Sequence, residues 1–240
     1  MPETALFYST HTRSAGVLLH PTSLPCPTGV GNFGKSARAF VDFLKSSDVA
    51  YWQMCPLGPT GFGDSPYQCF SAFALNPYFV DWDTLLEAGL VSHEDLGALY
   101  DLPHERVDYG LLYARFWPVL QKAFDAWKEN PAALDGLGNF EKFCKTYEDW
   151  LKPYTCFSAL KRFHKGAPWW LWPPNQRCLK DALSSGVFDD KAVKADVEFF
   201  SWAQFVCFSQ FAQLKDYAQK NGVRLIGDIP IFVAHDSADT

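Results

Sequence analysis

Two short runs carry most of the chemistry that this sequence can offer. They are Gly63-Asp64-Ser65-Pro66-Tyr67-Gln68 and Gly227-Asp228-Ile229-Pro230-Ile231-Phe232. Each sets short polar groups beside an apolar, strand-like segment, the way a rigid scaffold presents residues to a small polar ligand. An Asp accepts paired hydrogen bonds from vicinal hydroxyls, and a Tyr covers an apolar ring face while its hydroxyl bonds. Asp228, Ser65 and Tyr67 together therefore suit a sugar. His20 follows another apolar run, Gly16-Val17-Leu18-Leu19, and is expected to be a histidine satisfied by nearby backbone rather than a ligand. Asp64 and Asp228 are the carboxylates that could share a rim, but spacing alone does not set the separation that glycoside chemistry needs. Asp236 and Asp239, in an Asp-Ser-Ala-Asp run, read as capping oxygens at a helix N-terminus. The chain shows no Gly-rich phosphate loop, His-Glu metal pair or nucleophile elbow.

The elements that must position these groups follow a β/α rhythm. Residues 16–21 read as a buried strand closed by Pro21, followed by a Pro/Gly-rich loop over 22–34. Ser36 is expected to cap a helix to Ser47 with Ala39, Phe40, Phe43 and Leu44 on its apolar face. A second strand, 51–57, leads into a second Gly/Pro-rich loop over 58–68. The rhythm then changes: 82–195 reads as a mostly helical insertion, with helices over 111–128 and 139–151. Residues 167–174 carry too much Pro for a helix interior. A long helix from Asp196 to Lys220, stopped by Gly222, and a third strand over 223–228 resume the β/α pattern. In parallel β/α architectures ligands gather at the carboxyl ends of the strands. That rule puts His20, the Asp64-Ser65-Tyr67 loop and Asp228 at one rim.

The expected fold class is α/β: a partial (β/α)8 TIM barrel, its first three strands present, with a helical insertion. The expected division is 1–81 for strands 1 and 2, 82–195 for the insertion subdomain, and 196–240 for the resumed barrel. A complete barrel takes about 250 residues before any insertion, so 240 residues with three strands read as the N-terminal part of a larger barrel.

Composition bounds the function. Hydrophobic residues make up 48% of the chain and charged ones 20%, as in a globular protein with an ample core. Aromatics reach 17%, which means a bulky core and leaves rings to spare as platforms for sugar faces. A net charge of -6 without a Lys/Arg cluster argues against nucleic acid. Seven scattered Cys with no CxxC signal neither a disulfide framework nor a zinc site. The first fifteen residues lack the pattern of a secretory leader, and no apolar stretch reaches the ~20 residues of a membrane span. The expectation is a cytoplasmic protein with no membrane partner.

Several long segments, in order, closely resemble one family. These are Gly16 through Pro25, Pro56 through Gly61, Gly63 through Phe73 and Gly227 through Ala238. Val107-Asp108-Tyr109 and Ala167-Pro168-Trp169-Trp170 add to them. The family is 4-α-glucanotransferase, the amylomaltase or disproportionating enzyme of glycoside hydrolase family 77, and the likeness runs from about Arg13 to the last residue. It implies a (β/α)8 barrel with inserted subdomains and no cofactor. It also implies transfer of α-1,4-glucan segments between maltooligosaccharides, or to glucose, by a retaining double displacement. The Asp nucleophile, the Glu acid/base and a third, stabilising Asp of such enzymes are expected beyond Thr240, so no catalytic residue is assigned within this sequence. What the resemblance carries over is substrate binding. Asp228 matches the Asp that holds the sugar at the cleavage point, and Tyr67 and Ser65 match the loop beside the donor sugar. Val233 stands where the wider α-amylase clan usually has His, which favours the glucanotransferase branch. Cys26 and Cys69 stand where Ser is the more frequent residue. The competing expectation is a non-catalytic α-glucan-binding protein or one half of a split enzyme, keeping Tyr67 and Asp228 without the later carboxylates.

Overall fold

Three short parallel strands, β1 (Gly16–Leu18), β2 (Tyr51–Gln53) and β3 (Arg224–Ile226), lie side by side in chain order. This computed structural model describes residues 13–61 and 63–240; the reading of a missing leader falls, for residues 1–12, outside the described residues. The register sets Val17, Trp52 and Leu225 in one row across the sheet. Because side chains alternate along a strand, that row faces the helices. Trp52 is fully buried, meets Phe40 edge-on at 4.9 Å and donates its indole N–H to the Leu19 carbonyl at 2.7 Å. The opposite face carries Leu18 and Ile226, which are 60% and 42% exposed. Strands that follow one another in sheet order, each joined to the next through helices, are successive staves of a β/α barrel wall.

The first crossover helix, α1 (Lys35–Ser46), starts two residues earlier than expected: Gly34 rather than Ser36 is its N-cap, and the Ser36 hydroxyl donates to the Pro25 carbonyl. Its buried face is Ala37, Val41 and Leu44, not the expected Ala39 and Phe43, and Phe43 is 58% exposed. The rotation follows from the sheet, since α1 must turn toward Trp52.

The second crossover is long and helical. It contains α2 (Trp82–Glu87), α3 (His93–Tyr100), α4 (Tyr109–Glu129), α5 (Phe140–Thr146), α6 (Glu148–Phe163), α7 (Leu179–Ser184) and α8 (Lys191–Lys220). Asp108 caps α4 by accepting the Leu111 amide at 3.0 Å, and Leu112, Phe116, Val119, Leu120 and Ala123 form its buried stripe at helical spacing. The single helix expected over 139–151 is two, because the chain leaves helical geometry at Tyr147. Residues 167–174 form no helix interior: a short 3-10 turn spans Trp169–Leu171 and a second one starts at Pro174 and runs to Gln176.

Helix α8 begins at Lys191 rather than Asp196. Asp190 is the cap, accepting the amides of Ala192 and Val193 at 2.8 and 3.2 Å, while Asp196 is taken by Arg162 at 2.6 Å. The helix ends as expected at Gly222, whose φ of +78° suits glycine, and the Val223 amide returns to the Ala218 carbonyl at 2.9 Å. α8 is the spine of the molecule. One continuous apolar core joins it to α1, the sheet, α4 and α5, and α6 packs along it.

Candidate functional site

The loop after β2 is shaped by its own backbone. Thr60 and Cys69 form an antiparallel bridge, Gly61 and Gln68 pair at 3.1 Å, and the Phe70 amide donates to Pro59 at 2.8 Å. The tip reverses through Gly63 at φ +85° and Asp64 at φ +54°. Two consecutive left-handed residues need Gly at one position and tolerate Asp at the other. The Gln68 amide closes the turn on the Ser65 carbonyl at 3.0 Å. Ser65 Oγ accepts the Tyr67 amide at 3.3 Å, which ties the Tyr67 backbone to the turn.

What fixes this loop to the scaffold is a device that local sequence patterns do not reveal. Two glutamines of α8, buried to 0% and 2% exposure, reach the stretch that follows the loop. Gln204 accepts the Leu75 amide at 2.9 Å and donates to the Leu75 carbonyl at 2.8 Å; Gln210 does the same for Asp81 at 2.8 and 3.1 Å. Each side-chain amide replaces the backbone partner that a strand neighbour would supply.

Tyr67 and Asp228 meet. The phenol hydroxyl donates to Asp228 Oδ2 at 2.8 Å, joining the loop after β2 to the residue that follows β3. Hydrogen bonding to the carboxylate, then desolvation and the carboxylate's charge, push the Tyr67 phenol up to about 12, so it is a proton donor at any physiological pH. Asp228 Oδ1 takes the Ile229 amide at 2.8 Å. Tyr67 is 47% exposed and Asp228 lies open to solvent, so both can exchange partners with a ligand. Burial pushes the Asp64 carboxyl upward.

His20 does not join them. Its ring turns inward, edge-on to Phe79 at 5.5 Å, and its buried Nδ1 has no hydrogen-bond partner among the described residues. The expected backbone partner for Nδ1 is absent, and desolvation lowers the imidazole to about 4, so it is neutral at pH 7. Asp236 and Asp239 do not cap a helix either. Asp236 pairs with Lys161 of α6 and accepts the Trp169 amide at 3.3 Å; Asp239 accepts the Ala72 amide at 2.7 Å and the Ser71 hydroxyl at 3.3 Å. Their partners lie far away in the chain, so no local pattern could have named them. All seven cysteines are free thiols.

A carboxylate–phenol pair at the carboxyl ends of adjacent parallel strands, on a wall of successive β/α staves, defines a barrel protein with a polar ligand cleft at its rim. The family model for 4-alpha-glucanotransferase, glycoside hydrolase family 77, matches residues 19–240, and the chain belongs to that family. It is 47% identical over 232 residues to a 4-alpha-glucanotransferase of Thermus thermophilus, with 95% of this chain and 44% of that protein aligned. A Synechocystis 4-alpha-glucanotransferase is 40% identical over 227 residues, with the same two shares. Among solved structures, the amylomaltase from Streptococcus agalactiae in complex with acarbose superposes with a TM-score of 0.85 at 35% identity, over 95% of this chain and 45% of that one. The chain thus spans a little under half the length of these relatives. The architecture is a partial (β/α)8 barrel with a helical insertion, as the sequence led one to expect.

Proposed function

We propose that this chain forms the donor-sugar side of the cleft of a 4-α-glucanotransferase, in which Asp228, Tyr67 and Ser65 hold an α-1,4-glucan at the bond to be exchanged. The single observation that carries this reading is the Tyr67–Asp228 hydrogen bond, 2.8 Å long and reachable from solvent, at the carboxyl ends of β2 and β3. A carboxylate already holding one donor has lone pairs left for vicinal sugar hydroxyls, and the phenol offers a ring for the apolar sugar face. That the Streptococcus agalactiae amylomaltase was solved with acarbose supports an oligosaccharide ligand for the same fold.

The reaction proposed for the whole protein is transfer of a glucan segment from one maltooligosaccharide to another, or to glucose, with retention at the anomeric carbon. It needs a carboxylate nucleophile and a carboxylic acid about 5 Å apart. Asp228 serves there as a binding residue, holding hydroxyls of the sugar whose glycosidic bond is exchanged. A cytoplasmic location is part of the proposal, supported by seven unpaired thiols. Among the described residues, no helix is long and apolar enough to cross a membrane.

Incubation of the purified chain with maltotriose, followed by chromatography of the products, tests the reaction. Glucose together with longer maltodextrins establishes transfer by this chain. Saturable maltoheptaose binding without products is the outcome expected of a donor-sugar side whose catalytic carboxylates lie outside these 240 residues, and it is shared by the second reading, a glucan-binding half of a split enzyme. The absence of both overturns the proposal.

A further inference from the structure

We propose that Lys161, on α6 of the helical insertion, is a positioning residue for the Tyr67–Asp228 pair, clamping the segment after Asp228 onto the segment after Tyr67. Its bearing on sugar binding rests on the function proposed above; the clamp itself does not.

The Lys161 ammonium is enclosed by groups from four parts of the chain. Its side chain is 15% exposed and that of Asp236, its ion-pair partner, 23%. The ammonium also lies 5.2 Å from the Phe70 ring centre, 6.0 Å from that of Phe157 and 3.4 Å from the Ala167 carbonyl. Phe70 stands three residues beyond Tyr67, and Asp236 eight beyond Asp228. One cation therefore contacts both segments that carry the pair, through an ion pair on one side and a ring face on the other. Next to it the two segments bond directly: the Ala238 amide donates to the Phe70 carbonyl at 2.8 Å, and Asp239 takes Ala72 and Ser71.

The stretch between Asp228 and this junction has little to hold it. Ile229, Ile231 and Phe232 are 75%, 87% and 83% exposed. Asp228 follows the last ladder residue, Ile226, by two positions. Its place is thus set at two ends, by β3 before it and by the Lys161–Asp236 junction after it. An exposed ion pair contributes ~0–1 kcal/mol and orders nothing. A largely enclosed pair whose partners also bond backbone and ring faces has one geometry, and loss of either partner leaves an uncompensated charge.

The test replaces Tyr67 with 3-fluorotyrosine in the 240-residue chain and reads its fluorine resonance at neutral pH. Asp228→Ala supplies the position of the resonance with the hydrogen bond gone. With Lys161→Met the resonance is expected to move most of the way toward that position, and with Lys161→Arg to stay near the native one. Lys122→Met, which breaks the pair with Asp95 at the exposed Lys122, is expected to leave it unmoved. Maltoheptaose binding is expected to weaken by about tenfold in Lys161→Met, roughly the loss of one hydrogen bond's worth of affinity, and to recover in Lys161→Arg. A native resonance in a folded Lys161→Met overturns the proposal. Should that variant fail to fold, Asp236→Asn, which keeps the volume and removes the charge, carries the same comparison with the same two outcomes. A resonance that moves in a chain whose unmutated form binds no maltoheptaose leaves the clamp standing and removes the sugar reading instead.

Discussion

The Tyr67 hydroxyl and Asp228 Oδ2 stand 2.8 Å apart although they lie 161 positions apart in the chain. The contact closes a ring: β2 leads to the Tyr67 loop, Tyr67 to Asp228, Asp228 back to β3, and β3 is paired with β2 through Trp52↔Leu225. A ligand that bonds Asp228 therefore feels the order of both loops.

The first prediction concerns that pair. A hydrogen bond to a charged group is worth about 1.5–3 kcal/mol, so Asp228→Ala should weaken maltoheptaose binding by roughly tenfold or more. Tyr67→Phe keeps the ring and loses only the hydroxyl, so its loss should be smaller than that of Tyr67→Ala, which removes the stacking face too. Calorimetric titration of the four chains gives the order. Unchanged affinity in Asp228→Ala would refute the role assigned to this carboxylate.

The second concerns Gln204, whose side-chain amide satisfies both backbone groups of Leu75. Gln204→Leu fills a similar volume but strands a buried N–H and a buried C=O, at about 1–3 kcal/mol each. The mutant should lose about 2 kcal/mol or more in urea unfolding, with the m-value preserved. A substitution of the same size at the exposed Gln219 should cost almost nothing.

How much of this was legible beforehand differs from element to element. Apolar runs ending in Pro21 and Pro56 marked two strands, and the alternation through Val17, Trp52 and Leu225 is what a half-covered sheet demands. Gly222 marked the end of α8. The start of α8 was misplaced because Asp190 and Asp196 are equally good caps by type, and only the guanidinium of Arg162, 34 positions away, shows that Asp196 is otherwise engaged. The Asp236–Asp239 run failed for the same reason: carboxylates that fit a helix start locally were claimed by Lys161, Ser71 and Ala72. Rim placement of Tyr67 and Asp228 followed from the strand-end rule, whereas the inward turn of His20 depends on the space beside Phe79. Local pattern reports periodicity and caps; it is silent on partners brought in by the fold.

His20 gives the third prediction. Its folded-state value, lowered to about 4 by burial, lies below the unfolded value of 6.5. The unfolded chain therefore binds the extra proton in the window between the two, and linkage makes stability fall as pH drops from 6.5 toward 4. His20→Leu removes that proton site and the unpartnered Nδ1 together. Its melting temperature should be nearly flat across this window relative to the parent, and equal or higher at pH 5. A parallel fall in both proteins would mean that other groups, not His20, govern the acid limb.

The last prediction concerns the uncovered face of the sheet. Leu18 and Ile226 lie 60% and 42% exposed on strands that are both edges of the described sheet, and Ile226 is soon followed by Ile229, Ile231 and Phe232 at 75%, 87% and 83%. Edge strands with free backbone groups next to exposed apolar side chains favour self-association. The 240-residue chain should accordingly form concentration-dependent oligomers in sedimentation velocity and bind an apolar dye. Leu18→Lys with Ile226→Lys adds two charges to that face without touching the core row of Val17, Trp52 and Leu225. The double variant should sediment as a monomer at concentrations where the parent associates, while its melting temperature stays within a few degrees of the parent's. A parent chain that is monomeric at high concentration and dark to the dye would show that this face is covered in solution, by the chain itself rather than by a second copy.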